Sequence, residues 1–313
     1  MASQVALCCM SHSPLLHRAD PGAETRKAVD TALAEARAFV DEFDPELVVI
    51  FGPDHYAGFR YRLMPPFCIG ASASAIGDYG TESGPLDVPQ HVADDLVGSV
   101  LEAELDVAMS ERMTIDHGIS QPLEVLLGSI GARPVVPIFI NSVAAPLGPM
   151  RRARLLGEAV GEFVATLDKR VLIVGSGGLS HDPPVPKLRT AEAEVAEYLI
   201  DKQRTPAEQQ RREQQVYDAG QEFAQGASGL KPLNPNLDNE ILDLLAAGDL
   251  HRFDEFTVEW LDAHGGGSVH EVRTWVAAHA ALAATGPYRT TSTFYEPVPA
   301  WIVGFAVTTA VST

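Results

Sequence analysis

Short apolar, β-branched runs alternate with longer amphipathic stretches through about Pro186, and this alternation restricts the fold of the chain more than any other feature. Val5–Cys9, Leu47–Phe51, Val135–Ile140 and Val171–Gly175 read as buried strands. Between them, Ala23–Phe43, Val92–Leu105, Gln121–Ile130 and Arg151–Leu167 read as helices. Strands that are apolar on both faces need cover on both faces, so the expected class is α/β, with a central, mostly parallel or mixed sheet flanked by helices.

From Lys187 to about Ala284 the pattern becomes helical, as in TPAEQQRREQQVYDAGQEF and NPNLDNEILDLLAAG, and no strand pattern interrupts it. TSTFYEP and WIVGFAVTT, within Tyr288–Val311, recover strand character and are expected to rejoin the sheet beyond this helical C-terminal region. No repeat, low-complexity linker or sharp boundary divides the sequence, so residues 1–313 are read as a single domain.

Composition narrows the function classes. With 23 Lys plus Arg against 42 Asp plus Glu, the net charge of −19 repels nucleic-acid phosphates and anionic membranes, so neither is expected as a partner. Cys8 and Cys9 fall inside an apolar run, and with Cys68 they read as buried thiols of a reducing compartment. No basic n-region opens the chain and no run is long enough to span a bilayer, so a cytoplasmic location is expected.

Four histidines stand where apolar runs break or in turn-like loops: His12 in SHSP, His55 in GPDHY, His117 in TIDHG and His181 in GGLSHDPP. Each alone is most simply a turn residue. If β-runs ending at His12 and His55 are parallel, however, both imidazoles point into one crevice at the carboxyl ends of the strands, as half of a transition-metal site. A two-His, one-carboxylate set suits non-haem Fe(II), and the carboxylate could come from Asp54 or Glu271. Asp54 is next to His55, and adjacent residues seldom share an ion. Glu271 follows a triple-Gly turn at the start of an apolar helix whose Val272, Trp275, Val276 and His279 form a stripe, although from periodicity alone its simpler role is to complement the helix dipole. His279 reads as core-facing.

The run GSGGLSH lacks the third glycine of a dinucleotide fingerprint, and Val174 breaks the hydrolase elbow around Ser176. It reads instead as a permissive loop that brings His181 close to a small substrate. In TIDHG, Asp116 could orient an imidazole while Gly118 relieves crowding. His117 and His181, near a metal but not bound to it, could divide acid and base roles, or could merely satisfy loop hydrogen bonds.

SHSP, GPDHY, DHG, GSGGLSH and the Gly-rich turn before HEVRTW occur here in the order that resembles the type III extradiol catechol dioxygenases, across nearly the whole chain. MPPFCIG, AIGDYG, PIFIN and RVLIVGSGGLSHDPPVP resemble the branch that cleaves 3-(2,3-dihydroxyphenyl)propionate and 2,3-dihydroxycinnamate. The resemblance implies Fe(2+) as cofactor, a catechol and O2 as substrates, and a homo-oligomer. It implies His12, His55 and Glu271 as iron ligands and His117 and His181 as the acid–base pair, with Asp116 behind them; His181 is assigned here as base and His117 as acid, a division the sequence itself leaves open. A propionate-bearing substrate needs a local cation, for which Arg273 and Arg60 are the candidates. The rival readings are a zinc-type metal hydrolase in the same site and a non-enzymatic binding protein on the same scaffold.

Overall fold

The computed structural model describes residues 4–313. In chain order the elements are β1 (Gln4–Met10), α1 (Ala23–Phe43), β2 (Leu47–Gly52), β3 (Phe67–Gly70), β4 (Ala73–Ile76), β5 (Ser83–Pro85), α2 (Gln90–Glu102), β6 (Ala108–Ser110) and β7 (Met113–Ile115). There follow α3 (His117–Leu127), β8 (Val135–Ile140), α4 (Met150–Ala165), β9 (Arg170–Ser176), α5 (Ala193–Ile200), α6 (Pro206–Ala224) and α7 (Pro235–Ala247). The chain ends with α8 (Val258–Gly265), α9 (Val272–Ala284), β10 (Tyr288–Val298) and β11 (Val303–Ser312).

The main sheet runs β10-β11-β1-β9-β2-β8-β3-β6. Its centre, β1-β9-β2-β8, is parallel, while β11 joins β1 and β3 joins β8 antiparallel. The expected mixed α/β class is therefore the one observed, and the last strands do return to the sheet. β2 and β8 are buried along their whole length, as strands covered on both faces must be. One core lies between the sheet and the side carrying α2, α4, α7 and α9; the other joins the opposite face to α1 and α3. Among the described residues, no helix is long and apolar enough to cross a membrane.

Three sequence expectations change. The short strands β3 to β7 were not anticipated, because three or four residues carry too little periodicity to be distinguished from loop. The helix expected from Gln121 begins at His117, because Asp116 caps it by accepting the Gly118 N–H at 2.9 Å, and Pro122 lies inside it. The expected stripe on α9 is instead a helix buried all round from Val272 to Leu282, since it is wedged between the sheet and α4.

That wedge depends on glycine. A Cβ on Gly157 would lie 2.1 Å from the Ala277 carbonyl oxygen, and one on Gly161 would lie 2.1 Å from that of Ala281. Alanine normally gains about 1 kcal/mol over glycine within a helix, but here the obstacle is backbone that has no room to move. Gly157→Ala is therefore expected to destabilise the protein by about 1–3 kcal/mol, whereas Gly98→Ala, on an α2 position with open space around it, should stabilise it by ~0.5–1 kcal/mol. Urea denaturation midpoints of the two variants should move in opposite directions.

Candidate active site

The parallel register brings three strand ends level, with Met10 opposite Ser176 and Phe51 opposite Gly175. The loops that leave these ends carry His12, His55 and His181. The N-terminus of α3 contributes His117, and the turn before α9 contributes Glu271. All five line one cavity of about 550 Å³.

Glu271 is the centre of the group. It is 1% exposed, with Oε1 3.2 Å from His55 Nε2 and 3.3 Å from His181 Nε2, and Oε2 3.6 Å from His12 Nε2. The Gly178 N–H donates to Oε2 at 2.8 Å. Two further bonds stitch the head of α9 to the same loop: Thr274 Oγ1 donates to the Ser176 carbonyl at 2.7 Å and Trp275 Nε1 to that of Gly177 at 2.8 Å. Gly177 is obligatory here, because a Cβ would stand 2.7 Å from that of Glu271. Burial works against the Glu271 charge, but the surrounding imidazoles outweigh it and hold its pKa well below the usual carboxylate range.

Each imidazole is oriented through its other nitrogen. Ser176 Oγ donates its single proton to the Gly118 carbonyl at 2.6 Å, so at 2.9 Å it must accept from His12 Nδ1–H. That fixes the tautomer and leaves an unprotonated His12 Nε2 toward Glu271. Burial lowers the His12 pKa to about 3, so the ring is neutral. A lone pair then faces a carboxylate oxygen, an arrangement that calls for a cation between them.

His55 Nδ1 lies 3.2 Å from Asp116 Oδ2, which also accepts the His55 backbone N–H at 2.6 Å. Burial disfavours charge on His55, but Asp116 and Glu271 outweigh it, and its pKa is raised. His117 Nδ1 is 2.6 Å from Asp78 Oδ2, and its ring stacks on His55 at 4.5 Å. His181 Nδ1–H donates to the Leu179 carbonyl at 2.8 Å. Burial again opposes charge there and Glu271 outweighs it, so the His181 pKa is raised.

The structure therefore brings His12, His55, His117, His181, Asp116 and Glu271 together. Asp116 does orient an imidazole, but that of His55, while Gly118 relieves crowding as expected, since a Cβ there would lie 3.0 Å from the Pro53 carbonyl oxygen. The imidazole of His117 is oriented by Asp78, which sequence reasoning missed although it lies in AIGDYG. Ser176, weighed only as a nucleophile, was missed as an orienting group. Asp54 builds a turn: its carboxylate accepts from the N–H groups of Ala57, Gly58 and Phe59 and does not line the cavity. Arg60 lines the cavity, but Arg273 does not, its guanidinium being occupied by the carbonyls of His270 and Gly148. His279 is core-facing, as expected, and bonds the Trp275 carbonyl at 2.9 Å.

The loop carrying His181 is anchored by Asp238, which is fully buried. Its carboxylate accepts from Ser180 N, Ser180 Oγ and Tyr295 Oη, each at 2.7 Å.

Residues 6–306 match the family described as the catalytic LigB subunit of aromatic ring-opening dioxygenase. A protein of Rhodococcus sp. named 2,3-dihydroxyphenylpropionate/2,3-dihydroxicinnamic acid 1,2-dioxygenase is 58% identical over 309 residues, covering 98% of each chain. A protein of the same name from Mycolicibacterium paratuberculosis is 54% identical over 307 residues, again covering 98% of each.

Removing the Asp238 carboxylate strands three donors beneath the His181 loop. Asp238→Ala is expected to cost about 3 kcal/mol or more of stability, and Asp238→Asn less, because an unmade buried hydrogen bond costs ~1–3 kcal/mol. Equilibrium unfolding followed by tryptophan fluorescence measures both.

Proposed function

Since the chain belongs to the family of the catalytic LigB subunit of aromatic ring-opening dioxygenases, we propose that it cleaves 3-(2,3-dihydroxyphenyl)propionate, and its cinnamate counterpart, beside the diol with O2 at an Fe(II) held by His12, His55 and Glu271. The observation that carries this reading is the His12–Glu271 pair. A neutral imidazole with its tautomer fixed by Ser176 presents a lone pair to a buried carboxylate, and His55 Nε2 converges on the same carboxylate at 3.2 Å. Two imidazoles and one carboxylate are the donor set that leaves non-haem Fe(II) with open positions.

When bound, Fe(II) supplies the Lewis acidity that favours a catecholate and the open positions for the diol oxygens and for O2. The protein's own groups handle the protons. His181 Nδ1–H is committed to a neutral carbonyl, which leaves Nε2 to accept a proton from a substrate hydroxyl. His117 is held through Nδ1 by the carboxylate of Asp78, which fixes the ring and leaves its other nitrogen to pass a proton as the substrate ring opens. Trp301, Ile302 and Val303 form an apolar wall that limits water beside the reacting carbons.

A second donor set has its own observation: one ring nitrogen each of His12, His55 and His117 lie within 4.8 Å of one another. Metal content separates the two sets. His12→Ala, His55→Ala and Glu271→Ala should each abolish stoichiometric iron in folded protein, and Ser176→Ala should weaken affinity roughly 10–100-fold by releasing the His12 tautomer. If Glu271→Ala kept its iron and His117→Ala lost it, the three-imidazole set would replace the proposed one.

His117 and His181 variants should keep iron while turnover falls ~10²–10⁴-fold, the usual contribution of a positioned proton donor or acceptor. Oxygen uptake with the iron-loaded enzyme tests the reaction itself. The expected product is 2-hydroxy-6-oxonona-2,4-dienedioate, carrying both oxygen atoms, and a cis,cis-muconate or anaerobic turnover would refute the reading.

A further inference from the structure

The cavity runs well beyond the imidazoles, and its outer part is roofed by the segment from Pro183 through α6. Four carboxylates line it, and each is already matched. Asp78 serves His117, Asp116 serves His55, Glu271 serves His12 and His181 as well as the far side of His55, and Glu213 pairs with Arg18 at 3.0 Å. Three arginines also line it: Arg60, Arg204 and Arg212. Among the described residues none of the three has a carboxylate within ion-pair distance. In a chain of net charge −19, a cavity wall with unpaired guanidinium groups is a specific arrangement.

The three differ in how much of the guanidinium is free. Arg60 Nε donates to the Tyr56 carbonyl at 3.0 Å, and Arg212 Nη2 donates to that of Pro184 at 2.8 Å. Arg204 makes only a 3.4 Å contact to Gln209 Oε1 and sits over the Tyr198 ring, its Cζ 3.5 Å from the centroid. That stacking holds the planar fork in place with its donors unspent. Burial, followed by the like charges of Arg212 and Arg60, depresses the Arg204 pKa, so the group stands to gain from an anion.

The Tyr198 ring under Arg204 and Arg60, and the Tyr79 ring on the same cavity wall, also reach the imidazole end. Tyr198 donates to the carbonyl of Tyr56, the residue after His55, at 2.9 Å, and the Tyr79 ring sits 4.9 Å from that of His117. The cationic patch is therefore one layer of aromatic side chains away from the proposed metal ligands, within the same cavity.

We infer that Arg204, with Arg212 beside it, grips the side-chain carboxylate of the substrate and thereby sets the selectivity for catechols bearing an acidic tail. The inference rests on the proposed ring-cleavage reading. A diol held at the imidazoles and a carboxylate held by the fork of Arg204 fix the ring at two ends, which determines the ring edge that meets O2.

The test compares 3-(2,3-dihydroxyphenyl)propionate with 3-propylcatechol, which lacks the charge, in wild type and in the R204Q, R204K and R212Q variants, each checked for folding by circular dichroism. The ratio of kcat/KM for the acid to that for the neutral catechol should fall roughly 10–100-fold in R204Q, as the loss of a charge-assisted pair implies, and less in R204K. Calorimetry of 3-phenylpropionate binding to the metal-free protein should show a weakening of the same order. An unchanged ratio in every folded variant would overturn the assignment while leaving ring cleavage intact. If wild type cleaved neither catechol, the ring-cleavage reading would fall, and calorimetry would still decide the arginines: weaker binding in R204Q upholds the anion site and equal binding refutes it.

Discussion

A carboxylate as buried as that of Glu271 must be surrounded by donors or cations, because desolvating a lone charge costs several kcal/mol. Much of the structure answers that requirement. The parallel strands bring three histidine-bearing loops to its oxygens, the Gly177–Gly178 turn lets backbone come near enough to donate, and α9 is held against the sheet by glycines of α4. Each imidazole facing Glu271 is in turn held by a hydrogen bond at its far nitrogen. The site is the place where the sheet, α3 and α9 solve one electrostatic problem together.

Pro122 shows how far that solution extends. Within α3 the Gly118 carbonyl would ordinarily receive the N–H of residue 122, but proline has none. The carbonyl is thereby left for the Ser176 hydroxyl, and the direction of that bond decides which nitrogen of His12 carries its proton. A local defect in one helix is thus read three residues away in space as a fixed tautomer.

The fold class and most of the site were legible in the sequence because both depend on strands long enough to show period and composition. His12, His55 and His181 follow such strands, and Glu271 follows a glycine turn that opens an apolar helix. Asp78 escaped because the strand before it has only four residues, and Arg204 and Arg212 because nothing in a polar helical segment tells which side covers a cavity. Arg273 was read as a cation near Glu271 from sequence distance alone. Two residues along a helix turn a side chain to another face, and there it meets carbonyls instead of the cavity.

The position of β1 has a consequence for biogenesis. It is the first strand among the described residues, yet it lies inside the sheet, and its two neighbours are β9 and β11. While the ribosome is still translating the middle of the sequence, both hydrogen-bonding edges of this strand, apolar from Val5 to Met10, lack their native partners, and such edges invite intermolecular pairing. The contacts that close the sheet join residues from opposite ends of the chain, which slows folding. Overproduction of this protein should therefore depend on holding β1 soluble until β11 has left the ribosome.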